Sequence, residues 1–231
     1  MKVAILTIFP EMFTGIFSFG IIRVSRDADK VGIDVVNLRD FTHDRHHSVD
    51  DRPYGGGEGM VLKPEPIFEA VEEIEQRWNV TARRVLLSPQ GTPFDQRTAR
   101  QLAEENALIL ICGRYEGVDQ RVVDHLIDDE ISIGDFVVSG GEIPAMLVVD
   151  AVVRLLPGAT GSPASVVNES FNENLLDFPH YTRPAVFRGW TVPEVLMSGD
   201  HGKIERWRTE QALQKTVQKR PDLLKAKRSP D

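Results

Sequence analysis

Cysteine is nearly absent from the chain: its 231 residues contain one, Cys112. A single thiol excludes an internal disulfide and a cysteine-based zinc site, and its position at the end of an apolar run reads as a small buried hydrophobe. Long hydrophobic runs are missing too. No stretch approaches the roughly 20 apolar residues needed to span a bilayer, and Met1-Lys2 followed by VAILTIF has the character of a buried strand, without a cleavage site. The expectation is a cytoplasmic protein with no membrane partner. Two phosphate-binding patterns are lacking as well, the G-x-x-x-x-G-K-[ST] loop and the G-x-G-x-x-G dinucleotide turn, so the glycines of this chain do not serve a pyrophosphate.

What is present is ordinary in amount and uneven in distribution. Hydrophobic residues make up 41% and charged residues 27%, enough for one large domain or a domain plus a small one. Net charge is −8, yet Lys203 to Arg228 holds nine basic residues against three acidic ones, a local +6 that leaves −14 for the rest. An acidic body with a basic RNA-docking appendage has this asymmetry, and so does a solvated helix with a charged face.

Lys2–Phe9 reads as a strand closed by Pro10, Glu11–Ala28 as a helix weakened by Gly15 and Gly20, and Val31–Leu38 as a second strand. That order opens an α/β domain with a parallel sheet. Helices follow at Pro64–Trp78 and Asp95–Asn106, with a strand at Arg84–Leu87 between them. The stretch Ala107–Leu147 then repeats one arrangement, an apolar run that ends in glycines. Ala107–Cys112 suits a strand buried on both faces and stops at Gly113, which with Gly117 brackets Arg114, Tyr115 and Glu116. Ile131–Val138 is interrupted by Gly134 and ends at Ser139, Gly140 and Gly141, after which Glu142 and Pro144 open a helix. These glycines are either separate tight βα turns or the lining of one pocket at the carboxyl edge of the sheet, where open α/β sheets bind ligands. Spacing alone does not choose between the two.

Pro144–Leu156 is apolar on nearly every side, which demands burial all round and points to a homodimer. Its polar exceptions, Asp150 and Arg154, are spaced to meet as an ion pair. A charge placed in such a helix needs a partner or a task, which singles out Arg154. The loop Arg39–Gly59 carries His43, His46 and His47 beside Asp50 and Asp51, a set that fits metal ligands or a phosphate- and base-contacting surface. The H-x-x-H-H spacing is not the helical H-E-x-x-H signature. Pro157–Asn172 has linker composition; Leu175–Trp190 is proline-interrupted, a short helix lies near Val192–Met197, and Lys203–Lys219 is a basic amphipathic helix seamed by Ile204, Trp207, Ala212, Leu213 and Val217.

The strings DDRPYGGGEGM (Asp50–Met60), LLSPQG (Leu86–Gly91), CGRYEGVDQR (Cys112–Arg121), SIGDFVVSGGE (Ser132–Glu142) and HYTRP (His180–Pro184), in this order, resemble the bacterial tRNA (guanine-37-N1)-methyltransferases, knotted enzymes that use S-adenosylmethionine. The resemblance runs from Met1 to about Leu224. It implies an α/β fold, a parallel sheet with flanking helices and a deep C-terminal trefoil knot, plus a small helical C-terminal domain. The boundaries expected are 1–159 for the knotted donor-binding domain, 160–175 for a linker or lid, and 176–231 for a basic tRNA-binding domain.

For the donor pocket the resemblance implies Leu86, Leu87, Ser88, Pro89, Gly113, Tyr115, Glu116, Ser132, Ile133, Gly134, Asp135, Phe136, Val137, Val138, Gly140, Gly141 and Pro144. For the target nucleoside it implies Arg23, His46, Asp50, Arg52 and Tyr54. The catalytic pair is Arg154 and Glu169, the second standing where the family's string has an aspartate before Ser170-Phe171. Sites shared between the subunits of a homodimer, tRNA as substrate and a magnesium requirement are implied as well; the sequence shows no dedicated magnesium ligands. Two readings compete, a metal-dependent hydrolase built on the 43–51 loop and a non-catalytic RNA-binding protein.

Overall fold

The computed structural model describes residues 1–160, 169–171 and 174–225. The chain separates into two compact units, Met1–Gly161 and Ser162–Asp231. The first is an α/β layer structure. Its strands β1 (Lys2–Thr7), β2 (Gly32–Asn37), β5 (Arg83–Pro93), β6 (Ala107–Cys112) and β7 (Asp129–Ser132) form one sheet in the order β2-β1-β6-β5-β7, every pairing parallel. A small antiparallel pair, β3 (Asp50–Asp51) and β4 (Val61–Leu62), stands beside it.

Side-chain alternation divides the core into two layers. Val3, Ile5, Val85, Leu87, Leu108 and Leu110 face α1 (Gly20–Asp27), α3 (Gln96–Ala103) and α5 (Glu142–Val153), packing on Ile22, Leu102, Val148, Val149 and Val152. Ala4, Leu6, Leu86, Ile109 and Ile111 face α2 (Pro64–Trp78) and α4 (Gln120–His125), packing on Ile67, Ala70, Val71, Ile74 and Val122. The central β6 is buried at all its positions, as a strand covered on both faces must be.

Three elements differ from the sequence expectation. The helix expected at Glu11–Ala28 exists only from Gly20 onward; before it lie 3-10 turns at Pro10–Phe13 and Ile16–Ser18, where Phe13 and Phe17 stack at 5.7 Å and bury their rings. The run Ile131–Val138 is strand only to Ser132; Val137 is 83% exposed and Phe136 56%. Ile131 still packs in the core, whereas Phe136 and Val137 serve a surface. The strand expected at Arg84–Leu87 continues to Pro93 through an irregularity in which both Leu87 and Thr92 register with Ile131. Helix α4 is capped by the Asp119 side chain accepting from the Arg121 amide.

In the second unit, strands β8 (Val186–Phe187) and β9 (Trp190–Thr191) make a hairpin whose turn residues Arg188 and Gly189 both have positive φ. Arg-Gly between short apolar runs was the available signal for this turn, and the neighbouring prolines masked it. The helix His201–Lys219 is capped by Asp200 accepting from the Lys203 amide. It buries Ala212 and Thr216, and the Thr216 hydroxyl accepts from the Leu176 amide at 2.9 Å while Lys215 Nζ donates to the Asp177 carbonyl at 2.9 Å. Leu213 and Val217, expected in the seam, are instead 47% and 53% exposed. Most of the expected linker, residues 161–168 and 172–173, lies outside the described residues.

Candidate functional site

Parallel pairing puts the ends of β5, β6 and β7 on one edge of the sheet, and three loops there line a cleft. Leu87, Ser88, Pro89 and Gln90 come from the irregularity in β5, Gly113–Gly117 from the turn after β6, and Ile131–Ile133 with Phe136–Gly141 and Pro144 from the approach to α5. Each loop is shaped by close backbone contact. A Cβ at Gly91 would collide with the Glu130 carbonyl group, so the looped-out segment Ser88–Gln90 is available only because the chain can rejoin β7 at a glycine. The Gly141 amide donates to the Gly113 carbonyl at 2.8 Å, and Arg114 and Gly140 form an antiparallel bridge. The loops after β6 and before α5 are thus bonded to each other.

The cleft lining combines apolar side chains, from Leu87, Ile131, Phe136, Val137, Val138 and Pro144, with the glycine-bearing turns at Gly113–Gly117 and Gly140–Gly141. A cleft of that composition suits a small organic ligand read by main-chain groups. Beneath it, burial pushes the Cys112 thiol well up from its usual range and the Glu142 carboxylate adds to the effect. The only cysteine is therefore a packed thiol rather than a nucleophile.

Fourteen of the residues expected for the donor pocket line this cleft. Leu86 does not: it belongs to the layer on the opposite face of the sheet. Gly134 and Asp135 lie outside the lining. Gln90, Arg114, Gly117, Ile131 and Ser139 line it without having been named; their positions between named neighbours were the available signal.

The polar loop Arg39–Gly59 is tied to the same edge. The Leu62 amide donates to the Gly117 carbonyl at 3.0 Å and the Glu116 amide to the Met60 carbonyl at 3.0 Å. Asp50 is half-buried in β3, while His46, Arg52 and Tyr54 are exposed. Asp44 clips the loop, accepting from the amides of His46 and Ser48 and from the Ser48 hydroxyl, and the Ser48 donors hold its carboxyl down to about 2. The histidines do not converge. His43 pairs with Glu69 at 2.8 Å and His47 Nδ1 contacts the Thr42 hydroxyl at 3.1 Å; among the described residues no three metal-ligating side chains come together. Arg23 lies in a different groove, with Arg26, Asp27 and Asp34.

Residues 1–226 match the family described as tRNA (Guanine-1)-methyltransferase TrmD. The chain belongs to this family. It is 55% identical over 224 residues to the tRNA (guanine-N(1)-)-methyltransferase of Dehalococcoides mccartyi strain 195, covering 97% of this chain and 90% of the relative. It is 54% identical over 224 residues to the protein of that name from Bacillus cereus strain AH820, covering 97% and 92%.

Of the catalytic pair expected in this methyltransferase, neither residue lines the cleft. Arg154 is half-buried at the carboxyl end of α5, ten residues beyond the cleft-lining Pro144 and hence about 15 Å along the helix from the cleft. Glu169 is half-buried in the second unit, next to Ser170, whose hydroxyl accepts from the Asp177 amide at 3.0 Å. Both Arg154 and Glu169 are already engaged by neighbours. Asp150 is exposed.

Proposed function

We infer that this methyltransferase moves a methyl group from S-adenosylmethionine to N1 of guanosine 37 of tRNA, beside the anticodon, in the cytoplasm. The observation that carries the reading is the convergence of three loop tips at one sheet edge into a glycine-bearing cleft, in a chain that matches the family along nearly its whole length. S-adenosylmethionine, when bound, supplies an electrophilic methyl group. The fit is chemical: apolar walls for an adenine, main-chain groups along Gly113–Gly117 and Gly140–Gly141 for its polar edge, and the Glu116 carboxylate for a cationic ligand. The protein supplies orientation, a general base and electrostatic relief. Glu169 takes the N1 proton, and Arg154, a fixed planar cation, offsets the charge that builds on the guanine oxygen. His46, Asp50, Arg52 and Tyr54, with Arg23, receive the nucleoside. Magnesium finds no ligand cluster among the described residues, and no step is assigned to it.

A homodimer follows from α5. Its stripe of Ile143, Leu147, Asp150 and Arg154 runs along one helix face, and the first two are 52% and 45% exposed. A second copy that covers the stripe would also carry Arg154 of one subunit toward the other subunit's cleft. A knot is supported by the return of the chain from β7 past the loop after β6, where the Gly141–Gly113 bond holds it before α5 enters the layer under β6. The domains proposed are the donor-binding unit to residue 159, the linker 160–175 and the tRNA-binding unit from 176.

Calorimetric titration of S-adenosylmethionine, followed by transfer of its labelled methyl group to tRNA, tests the assignment. Saturable binding and 1-methylguanosine product are expected. RNA binding without donor affinity would make the protein a non-catalytic RNA binder, and stoichiometric zinc or iron in the purified chain would favour the hydrolase.

The basic helix gives a second test. Removing it would unfold its unit, since Thr216 and Lys215 hold the segment at Leu176–Asp177. Replacing the exposed Lys203, Arg206 and Lys219 with glutamine is the cleaner change. The triple variant is expected to flatten the salt dependence of tRNA binding, the slope falling by about 0.7–0.9 for each phosphate no longer neutralised, with donor binding unaltered. An unchanged slope would remove this helix from the RNA surface.

A further inference from the structure

Glu142 is 1% exposed, a buried carboxylate in the first turn of α5. One oxygen, Oε1, accepts from the Thr7 hydroxyl at 2.8 Å, and the other, Oε2, accepts from Arg114 Nε at 2.9 Å. Thr7 is the last residue of β1, and Arg114 opens the turn after β6. One carboxylate therefore joins three elements beneath the donor cleft. The Arg114 side chain is 16% exposed; its guanidinium lies over the Phe9 ring at 4.6 Å, and Nη2 approaches Met12 Sδ at 3.7 Å. Arg114 itself lines the cleft. The fit leaves no slack: a Cβ at Gly140 would stand on Arg114 Nε and 2.6 Å from Glu142 Oε2.

A buried ion pair is a poor way to gain stability, because desolvating two charges offsets most of their attraction. Such a pair earns retention when it fixes a geometry. We propose that Glu142 is a positioning residue for the methyl-donor cleft, setting Arg114 and through it the mutual placement of the loops at Gly113–Gly117 and Ser139–Gly141. The proposal rests on the donor-binding reading given above. Glu142 touches no ligand; it acts by holding Arg114 Nε, so that the guanidinium stays over the Phe9 ring and the Arg114–Gly140 bridge stays closed. An apolar residue of the same size would fill the space without orienting the arginine.

The test separates positioning from stability. S-adenosylmethionine affinity is measured by calorimetry for wild type, E142Q and the double variant R114M/E142M, with thermal midpoints and hydrogen exchange of the amides at 113–117 and 139–141 in the ligand-free protein. Removing both charges together is often neutral for folding, so the double variant stays informative where E142Q is unstable. Both variants are expected to bind donor at least about tenfold more weakly, a charge-assisted bond being among the stronger ones. Faster exchange is expected at those two loops, with the interior of β6 unchanged. Wild-type affinity in the double variant, or exchange accelerated uniformly across the unit, would reduce Glu142 to a packing residue and overturn the proposal. A wild-type protein that takes up no donor would overturn the donor-binding reading first, and this proposal with it.

Discussion

Glu169→Ala is expected to slow methyl transfer by roughly 10²–10⁴-fold, the usual contribution of a general base, while S-adenosylmethionine binding stays within about twofold of wild type. The separation is expected because Glu169 belongs to the second unit and the donor cleft is built wholly from the first. Glu169→Asp, which shortens the reach by one methylene, should retain most of the activity if the partner surface can follow it. Arg154→Ala should be as damaging as Glu169→Ala, again without loss of donor binding. Mixing the two inactive alanine variants then reports on the assembly. If Arg154 of one subunit serves the same site as Glu169 of the other, random heterodimers regain one intact site in two, roughly a quarter of wild-type activity in an equal mixture. No recovery would place both residues of a site on one chain. Full activity in Glu169→Ala would transfer the base role, with Asp135 and Glu116 the next carboxylates to test.

Gly141→Ala is expected to weaken donor binding at least about a hundredfold and to destabilise the fold by about 1–3 kcal/mol, the usual range for overpacking. The added Cβ would stand 2.6 Å from Cys112 Cα, 2.9 Å from the Gly113 nitrogen and 3.1 Å from the Cys112 carbonyl carbon. All three are backbone atoms at the end of the central strand, which cannot turn aside as a flexible side chain would. The Gly141–Gly113 hydrogen bond would be forced open, and both cleft loops with it. Gly32→Ala is the control: nothing lies within 4 Å of its Cβ position, and neither affinity nor the denaturation midpoint should move. A Gly141→Ala protein with normal donor affinity would show that the cleft tolerates a shift at its floor, against the close-approach argument.

The parts of this architecture legible in the sequence were those written in local pattern. The continuous apolar run Ala107–Cys112 announced a strand covered on both faces, and the glycines behind it announced tight turns. Register is not local. Nothing in LLSPQG says that Leu87 and Thr92 both face Ile131 and that the residues between them loop into a cleft; only the approach of Gly91 to β7 enforces it. Composition also misled where apolar residues face a ligand site instead of a core, as at Phe136–Val138. Burial of α5 on all sides was expected from its composition, yet Ile143 and Leu147 are 52% and 45% exposed. Arg154 stood out as a charge in an apolar helix, but its distance from the cleft depends on which end of α5 meets the sheet edge, and periodicity is silent on that.

The bond between Gly141 and Gly113, with the Arg114–Gly140 bridge beside it, closes one flank of the cleft permanently. A nucleoside ligand cannot arrive by parting those two loops without breaking main-chain hydrogen bonds. Phe136 and Val137, in the same lining, face water instead. The lining thus joins a main-chain clasp, fixed by its own hydrogen bonds, to apolar side chains that solvent reaches from outside.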